Sequence, residues 1–103
     1  MIGGSVLDAL RAWFDAHESS LAHVGYTVEY AESPADRGKL SASVTVASPG
    51  RIARLVIWDT GEAELSMGDV SSADLTEEHR EITSEIGLRD ATETLVAWLN
   101  DSR

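Results

Sequence analysis

The sequence predicts an α+β domain in which a four-stranded antiparallel meander carries an N-terminal and a C-terminal helix on one face, in the order α-β-β-β-β-α. Three observations lead there. Apolar residues recur at helical spacing at both ends of the chain, the middle alternates apolar with polar residues, and the junctions are rich in Gly, Pro, Ser and Asp. With 103 residues, 43% of them hydrophobic and 25% charged, residues 1–103 have the size and apolar content of a single domain with one core.

Ser5 and Asp8 stand in the S-x-x-[DE] relation of a capping box, and Val6, Leu7, Leu10, Trp13, Phe14 and Leu21 then share one helical face. The polar face holds Asp8, Arg11, Asp15 and Glu18, which predicts an amphipathic helix to about Ser19. At Gly25 the period changes to two. Tyr26, Val28 and Tyr30 form a first strand, and Ser33 to Gly38 has turn chemistry. Leu40, Ala42, Val44 and Val46 alternate with Ser41, Ser43 and Thr45 as a second strand, closed by Ser48-Pro49-Gly50. Ile52 to Trp58 is apolar at almost every position, as a central strand would be, and Ala63, Leu65 and Met67 mark a fourth. From Asp74 a helical spacing returns through Leu75, His79, Ile82 and Ile86, but extending it would bury Arg89, Asp90 and Glu93. A new stripe of Leu88, Ala91, Leu95, Trp98 and Leu99 starts after Gly87. Residues 74–86 are therefore expected to be a short helix or an irregular crossing, with a break at Gly87 and a closing helix from about Leu88 to Asn100.

The two helices must bury their stripes on one sheet face, leaving the other open to solvent or a partner. Which face carries Trp58 depends on the loop that follows it, because a one-residue shift in register turns every side chain over. A two-residue loop, Thr60-Gly61, would pair Arg54 with Met67 and place Arg54 and Trp58 in the core. A three-residue loop, Asp59-Thr60-Gly61, pairs Ile57 with Ala63, Leu55 with Leu65 and Ala53 with Met67. This second core is free of charge and ends the loop on glycine. It leaves Arg54, Val56 and Trp58 on the helix-free face beside Glu62, Glu64 and Ser66, an apolar centre rimmed by carboxylates of the kind that anchors protein partners. Trp13 and Trp98, each within a helical stripe, are expected in the core.

The formal net charge is −10, from 18 acids and 8 bases. Met1 to Trp58 holds six acids against five bases, whereas Asp59 to Thr94 holds eleven against two. Phosphate repulsion speaks against a nucleic-acid partner, and the acidic half would steer a basic one. Cysteine is absent, which excludes disulfides, thiolate metal sites and a cysteine nucleophile. The first residues lack the basic and apolar regions of a signal peptide, and no apolar run reaches the length of a membrane span. A cytoplasmic protein is the expectation.

Catalytic motifs are few. Asp59-Thr60-Gly61 matches the D-T-G of aspartic proteases, but that fold is almost wholly β, and a hairpin turn is reason enough for the tripeptide. An aspartic-protease-like hydrolase at Asp59 stays a competing reading that pepstatin-sensitive proteolysis would establish. His17, Glu18 and His23 do not form H-E-x-x-H, and His79 stands among Glu77, Glu78, Arg80 and Glu81 as a solvated side chain. No P-loop, dinucleotide or G-x-S-x-G pattern is present, so the sequence points to no cofactor and no metal, and to binding over catalysis.

Arg54-Leu55-Val56-Ile57-Trp58-Asp59-Thr60-Gly61-Glu62-Ala63-Glu64-Leu65 resembles the TriTu immunity proteins of bacterial polymorphic toxin systems. There a strand ending in Trp, an acidic residue, a variable position and Gly precedes a second acidic strand. Farther on, His79 and the closing Leu95-Val96-Ala97-Trp98-Leu99 match the family in order, so that the likeness covers about Ser41 to Leu99. The resemblance implies a bacterial protein that binds and neutralises a cognate toxin domain, often a basic nuclease in such systems. It carries over onto Trp58, Asp59, Gly61, Glu62 and Glu64, of which Asp59 and Gly61 also serve as turn residues. The expected partner-binding residues are Val56, Trp58, Asp59, Glu62 and Glu64. An acidic secretion chaperone that binds an effector segment is the alternative; such proteins are usually dimers, whereas no obligate homo-oligomer is expected here.

Overall fold

The structure, a computed structural model, describes residues 6–32, 40–70 and 72–100. The chain runs α1 (Val6–His23), β1 (Thr27–Glu32), β2 (Ser41–Ser48), β3 (Arg51–Trp58), β4 (Glu62–Asp69), β5 (Asp74–Glu81) and α2 (Glu85–Asn100). Its strands form one five-stranded antiparallel sheet in the order β1-β2-β3-β4-β5, with β3 at the centre. The α+β class and the helix-flanked meander are as the sequence predicts; the meander has one strand more than expected.

That fifth strand corrects the reading of residues 74–86. Apolar alternation reports burial of one strand face, and β5 buries neither: its side chains are all exposed except those of Glu78 and Arg80, which are half-buried. Helix α1 packs on β1 and β2, and α2 on β3 and β4. The spacing of Leu75, His79, Ile82 and Ile86 has no structural counterpart, since Leu75 and Ile86 are 66% and 68% exposed while Ile82 is 1% exposed. Gly87 does not break the chain either. Ser84 caps α2, its Oγ accepting the Gly87 N–H at 3.2 Å and its carbonyl the Leu88 N–H at 3.1 Å, so Gly87 lies in the first turn of the helix. The closing stripe of Leu88, Ala91, Leu95 and Leu99 is buried as expected, joined by Thr92.

Helix α1 continues one turn past Ser19 and ends in a Schellman arrangement. Gly25, at φ 105°, donates to the Ala22 carbonyl and Tyr26 to that of Leu21, each at 3.0 Å. Ser5 and the turn from Ser33 to Gly38 lie outside the described residues.

Alternate residues of the sheet form the core. Ala42, Val44 and Val46 from β2, Ala53, Leu55 and Ile57 from β3, and Ala63, Leu65 and Met67 from β4 meet Leu10, Leu21, Leu88, Ala91, Leu95 and Leu99 from the helices. Trp13 and Trp98 pack against this core but stay half-buried. Each has a polar cover: the Trp13 ring stacks on His17 at 4.6 Å, and the Arg51 guanidinium lies 4.6 Å from the centre of the Trp98 ring. Arg51 also pairs with Asp69 across the β3–β4 ladder at 3.3 Å and donates to the Trp98 carbonyl at 2.5 Å. A cation thus anchors the last turn of α2, where the helix dipole is negative.

On the sheet's other flank, the Tyr30 hydroxyl donates to Glu32 at 2.7 Å and its ring meets Phe14 at 5.5 Å. Burial, then the hydrogen bond and charge of Glu32, push the Tyr30 pKa up from 10.0 to about 12. An unfolded chain gives up that proton near pH 10, so between those values the folded form holds more protons and stability falls as pH rises. The fall should be smaller in Tyr30→Phe, as urea midpoints measured from about pH 9 to 12 would show.

Gly61 gives a second prediction. Its φ is +97°, and a Cβ there would sit 3.0 Å from Thr83 Cγ2 and 3.3 Å from the Ile82 carbonyl oxygen. Gly61→Ala should cost about 1–3 kcal/mol in urea unfolding, while Gly50→Ala, whose Cβ would meet nothing within 4 Å, should stay within about 0.5 kcal/mol of the parent.

Candidate functional site: the helix-free sheet face

The hairpin between β3 and β4 is closed by Asp59-Thr60-Gly61, with the Gly61 N–H donating to the Trp58 carbonyl at 2.9 Å. Positive φ at the third loop residue suits glycine and matches a type I turn followed by a left-handed residue. The resulting register pairs Ile57 with Ala63, Leu55 with Leu65 and Ala53 with Met67, as the three-residue loop predicts. Arg54, Val56 and Trp58 therefore stand on the face away from the helices, together with Glu62, Glu64 and Ser66.

Cross-strand pairing fixes the neighbours on that face. One row runs Ala31, Ser43, Val56, Glu64, His79; the next runs Glu29, Thr45, Arg54, Ser66, Glu77. Val56 and Trp58 are half-buried, whereas Glu62 and Glu64 are exposed. Beside Val56 a shallow hollow of about 220 Å³ opens among Ser41, Ser43 and Arg54, its floor set by the small side chain of Ser43, which is 8% exposed. At the opposite end Ile52 and Leu75 lean together over Gly68, where a Cβ would lie 3.5 Å from Leu75 Cδ1 and 3.7 Å from Ile52 Cγ2. These two are 45% and 66% exposed and make a second apolar spot. Around both spots stand Glu29, Glu62, Glu64, Glu77 and Glu81, against the single guanidinium of Arg54 among the described residues of this face.

Of the sequence-predicted site residues, Val56, Trp58, Glu62 and Glu64 are brought together on one surface. Asp59 lies beyond them in the loop. Its N–H donates to the Leu40 carbonyl at 2.9 Å, and its carboxylate accepts the Leu40 N–H at 3.4 Å, so it fastens the start of β2 to the end of β3. The D-T-G tripeptide accordingly has a turn role in this chain. Sequence reasoning missed Leu75, Glu77, His79 and Glu81 as members of the face, because it did not recognise β5 as a strand. His79 is the cross-strand neighbour of Glu64. The one signal available was the resemblance, in which His79 already figured. No group of three or more His, Asp or Glu among the described residues could hold a metal ion, and no helix there is long and apolar enough to cross a membrane.

The fold and this face define a small α+β protein whose sheet face opposite the helices carries Val56 and Trp58 among exposed carboxylates. The family profile described as immunity protein TriTu matches residues 8–98, and the chain belongs to that family of immunity proteins. No curated protein and no solved structure matches it.

Proposed function

We propose that this chain protects a bacterium by binding a cognate toxin domain on the helix-free sheet face, with Val56 and Trp58 as the apolar centre and Glu62 and Glu64 as the charged rim. The observation that carries the reading is the β3–β4 register, which turns Trp58 away from the core next to exposed carboxylates. Truncating an aromatic anchor in a desolvated interface centre typically costs 2 kcal/mol or more, and carboxylates around it favour a partner rich in Lys and Arg. The hollow beside Val56 offers Ser43 and Arg54 to a polar side chain of the partner. A basic nuclease suits such a surface by charge. In this reading inhibition is stoichiometric and involves no chemistry on the toxin.

The deciding experiment measures thermal stability and toxin affinity on one Trp58→Ala preparation, using the cognate toxin domain. Stability should fall by about 1 kcal/mol or less while affinity drops about thirtyfold. Leu55→Ala, at a position 0% exposed, should instead cost about 2–5 kcal/mol. If Trp58→Ala destabilises as much as Leu55→Ala and weakens binding only through loss of folded protein, the face is not the docking site.

Charge gives an independent check. Nine of the ten net negative charges lie between Asp59 and Thr94, so association with a basic toxin should be fast at low salt and slow as salt screens the field. Stopped-flow association rates from about 0.02 to 0.5 M salt should fall by about tenfold or more, with dissociation changing less; a flat association rate would remove steering from the account.

A further inference from the structure

Strand β5 closes one end of the sheet order. Among the described residues no strand pairs with its outer edge, so over Asp74–Glu81 it presents a row of backbone N–H and C=O groups to which another strand can be added. Neither Pro nor Gly interrupts these eight residues. Charge decides which strand fits: β5 carries Asp74, Glu77, Glu78 and Glu81, and its one Arg, Arg80, is engaged by Glu78 at 2.9 Å. A second copy is a poor match where the two strands overlap most fully. Antiparallel self-pairing centred between Glu77 and Glu78 sets Asp74 against Glu81 and Glu77 against Glu78, and centring it on Glu78 sets that residue against itself. Like charges directly opposite are destabilising, whereas Lys or Arg at the same places would turn each contact favourable.

The surroundings of β5 agree with such an addition. Its Leu75, Glu77, His79 and Glu81 continue the open face beyond Glu64, so a strand added there extends the same surface. Leu75, 66% exposed, supplies an apolar contact on that side. On the other side Thr76 is exposed and Glu78 and Arg80 half-exposed, leaving room for the inward side chains of a newcomer. The opposite edge, β1, lacks that room, because α1 packs on it and Val28 and Tyr30 pack against the core. We infer that β5 takes up a basic, extended segment of the partner by strand addition, next to the docking face centred on Trp58. This rests on the toxin-binding reading and names the element of the partner that it would engage.

Strand addition and simple docking on the face differ in which side chains they touch. A partner lying on the face meets Glu77 and His79 but not Thr76, whereas an added strand has neighbours on both sides of the pleat. The probe is a nine-residue peptide alternating lysine and valine, with its glutamate counterpart as control, titrated into the isotope-labelled full chain while amide exchange is followed by NMR. The lysine peptide should slow exchange of β5 amides about tenfold and the glutamate peptide should not. Thr76→Lys and Glu77→Lys should each weaken the lysine peptide by about fivefold, and Glu93→Lys, at an exposed position of α2, should leave it unchanged. Equal response to both peptides, protection confined to β1 or to the open face, or an effect of Glu77→Lys without one of Thr76→Lys would overturn the edge site. Since the peptide assay does not involve the toxin, its failure leaves the Trp58 reading standing, and failure of the Trp58 test leaves the peptide result to be judged by itself.

Discussion

A single loop of three residues governs this structure. With Gly61 at a φ of +97° closing the turn on the Trp58 carbonyl, β3 and β4 can meet in only one register, and that register sorts their side chains between two faces. One residue less in the loop would carry Arg54 under the helices and turn Leu55 and Ile57 out to water. The same glycine reaches across to the chain leaving β5. Its carbonyl accepts the Ile82 N–H at 2.6 Å, and its bare Cα leaves space for Thr83, so the hairpin also sets where α2 begins. Ile82 is thereby held in the core and Ser84 is placed to cap the helix.

Once the register is fixed, the helices have one place to go. The apolar centre of the helix-facing side of β2, β3 and β4 receives Leu10, Leu21, Leu88, Leu95 and Leu99, and burial of these apolar surfaces is the main favourable term of folding. Polar groups then lock the periphery. Arg51 ties the first residue of β3 to the last of β4 and to the end of α2, and the Tyr26 hydroxyl donates to Asn100 at 2.7 Å, joining the start of the sheet to the same helix end. These contacts secure the final turn of α2, where Trp98 is only half-buried and burial alone holds less strongly.

How far the sequence discloses this depends on whether an element buries one side. Strands β2 to β4 and the stripe of α2 do so, and their alternation or helical spacing is readable; the loop register follows from refusing Arg54 a place in the core. Strand β5 buries neither side, so Asp74 to Glu81 reads as a polar segment rich in helix formers, and its strand character comes only from hydrogen bonding to β4. The start of α2 was hidden for a related reason. Ser84 caps it without an acidic residue three places on, and Gly87 at that place looks like a terminator. The tryptophan-bearing half of the candidate site was therefore legible, and the half contributed by Leu75, Glu77, His79 and Glu81 was not.

The pleat of β3 and β4 has an evolutionary consequence. Positions 54, 56, 58, 62, 64 and 66 look outward, and each core position of the hairpin lies between them or beside them in sequence. Point substitutions at the outward positions rewrite one surface while the apolar inventory beneath it stays constant, so surface chemistry and foldability can drift on separate tracks. If the proposed docking on this face holds, a lineage confronted with a changed adversary can retune every second residue of this hairpin and inherit the scaffold intact.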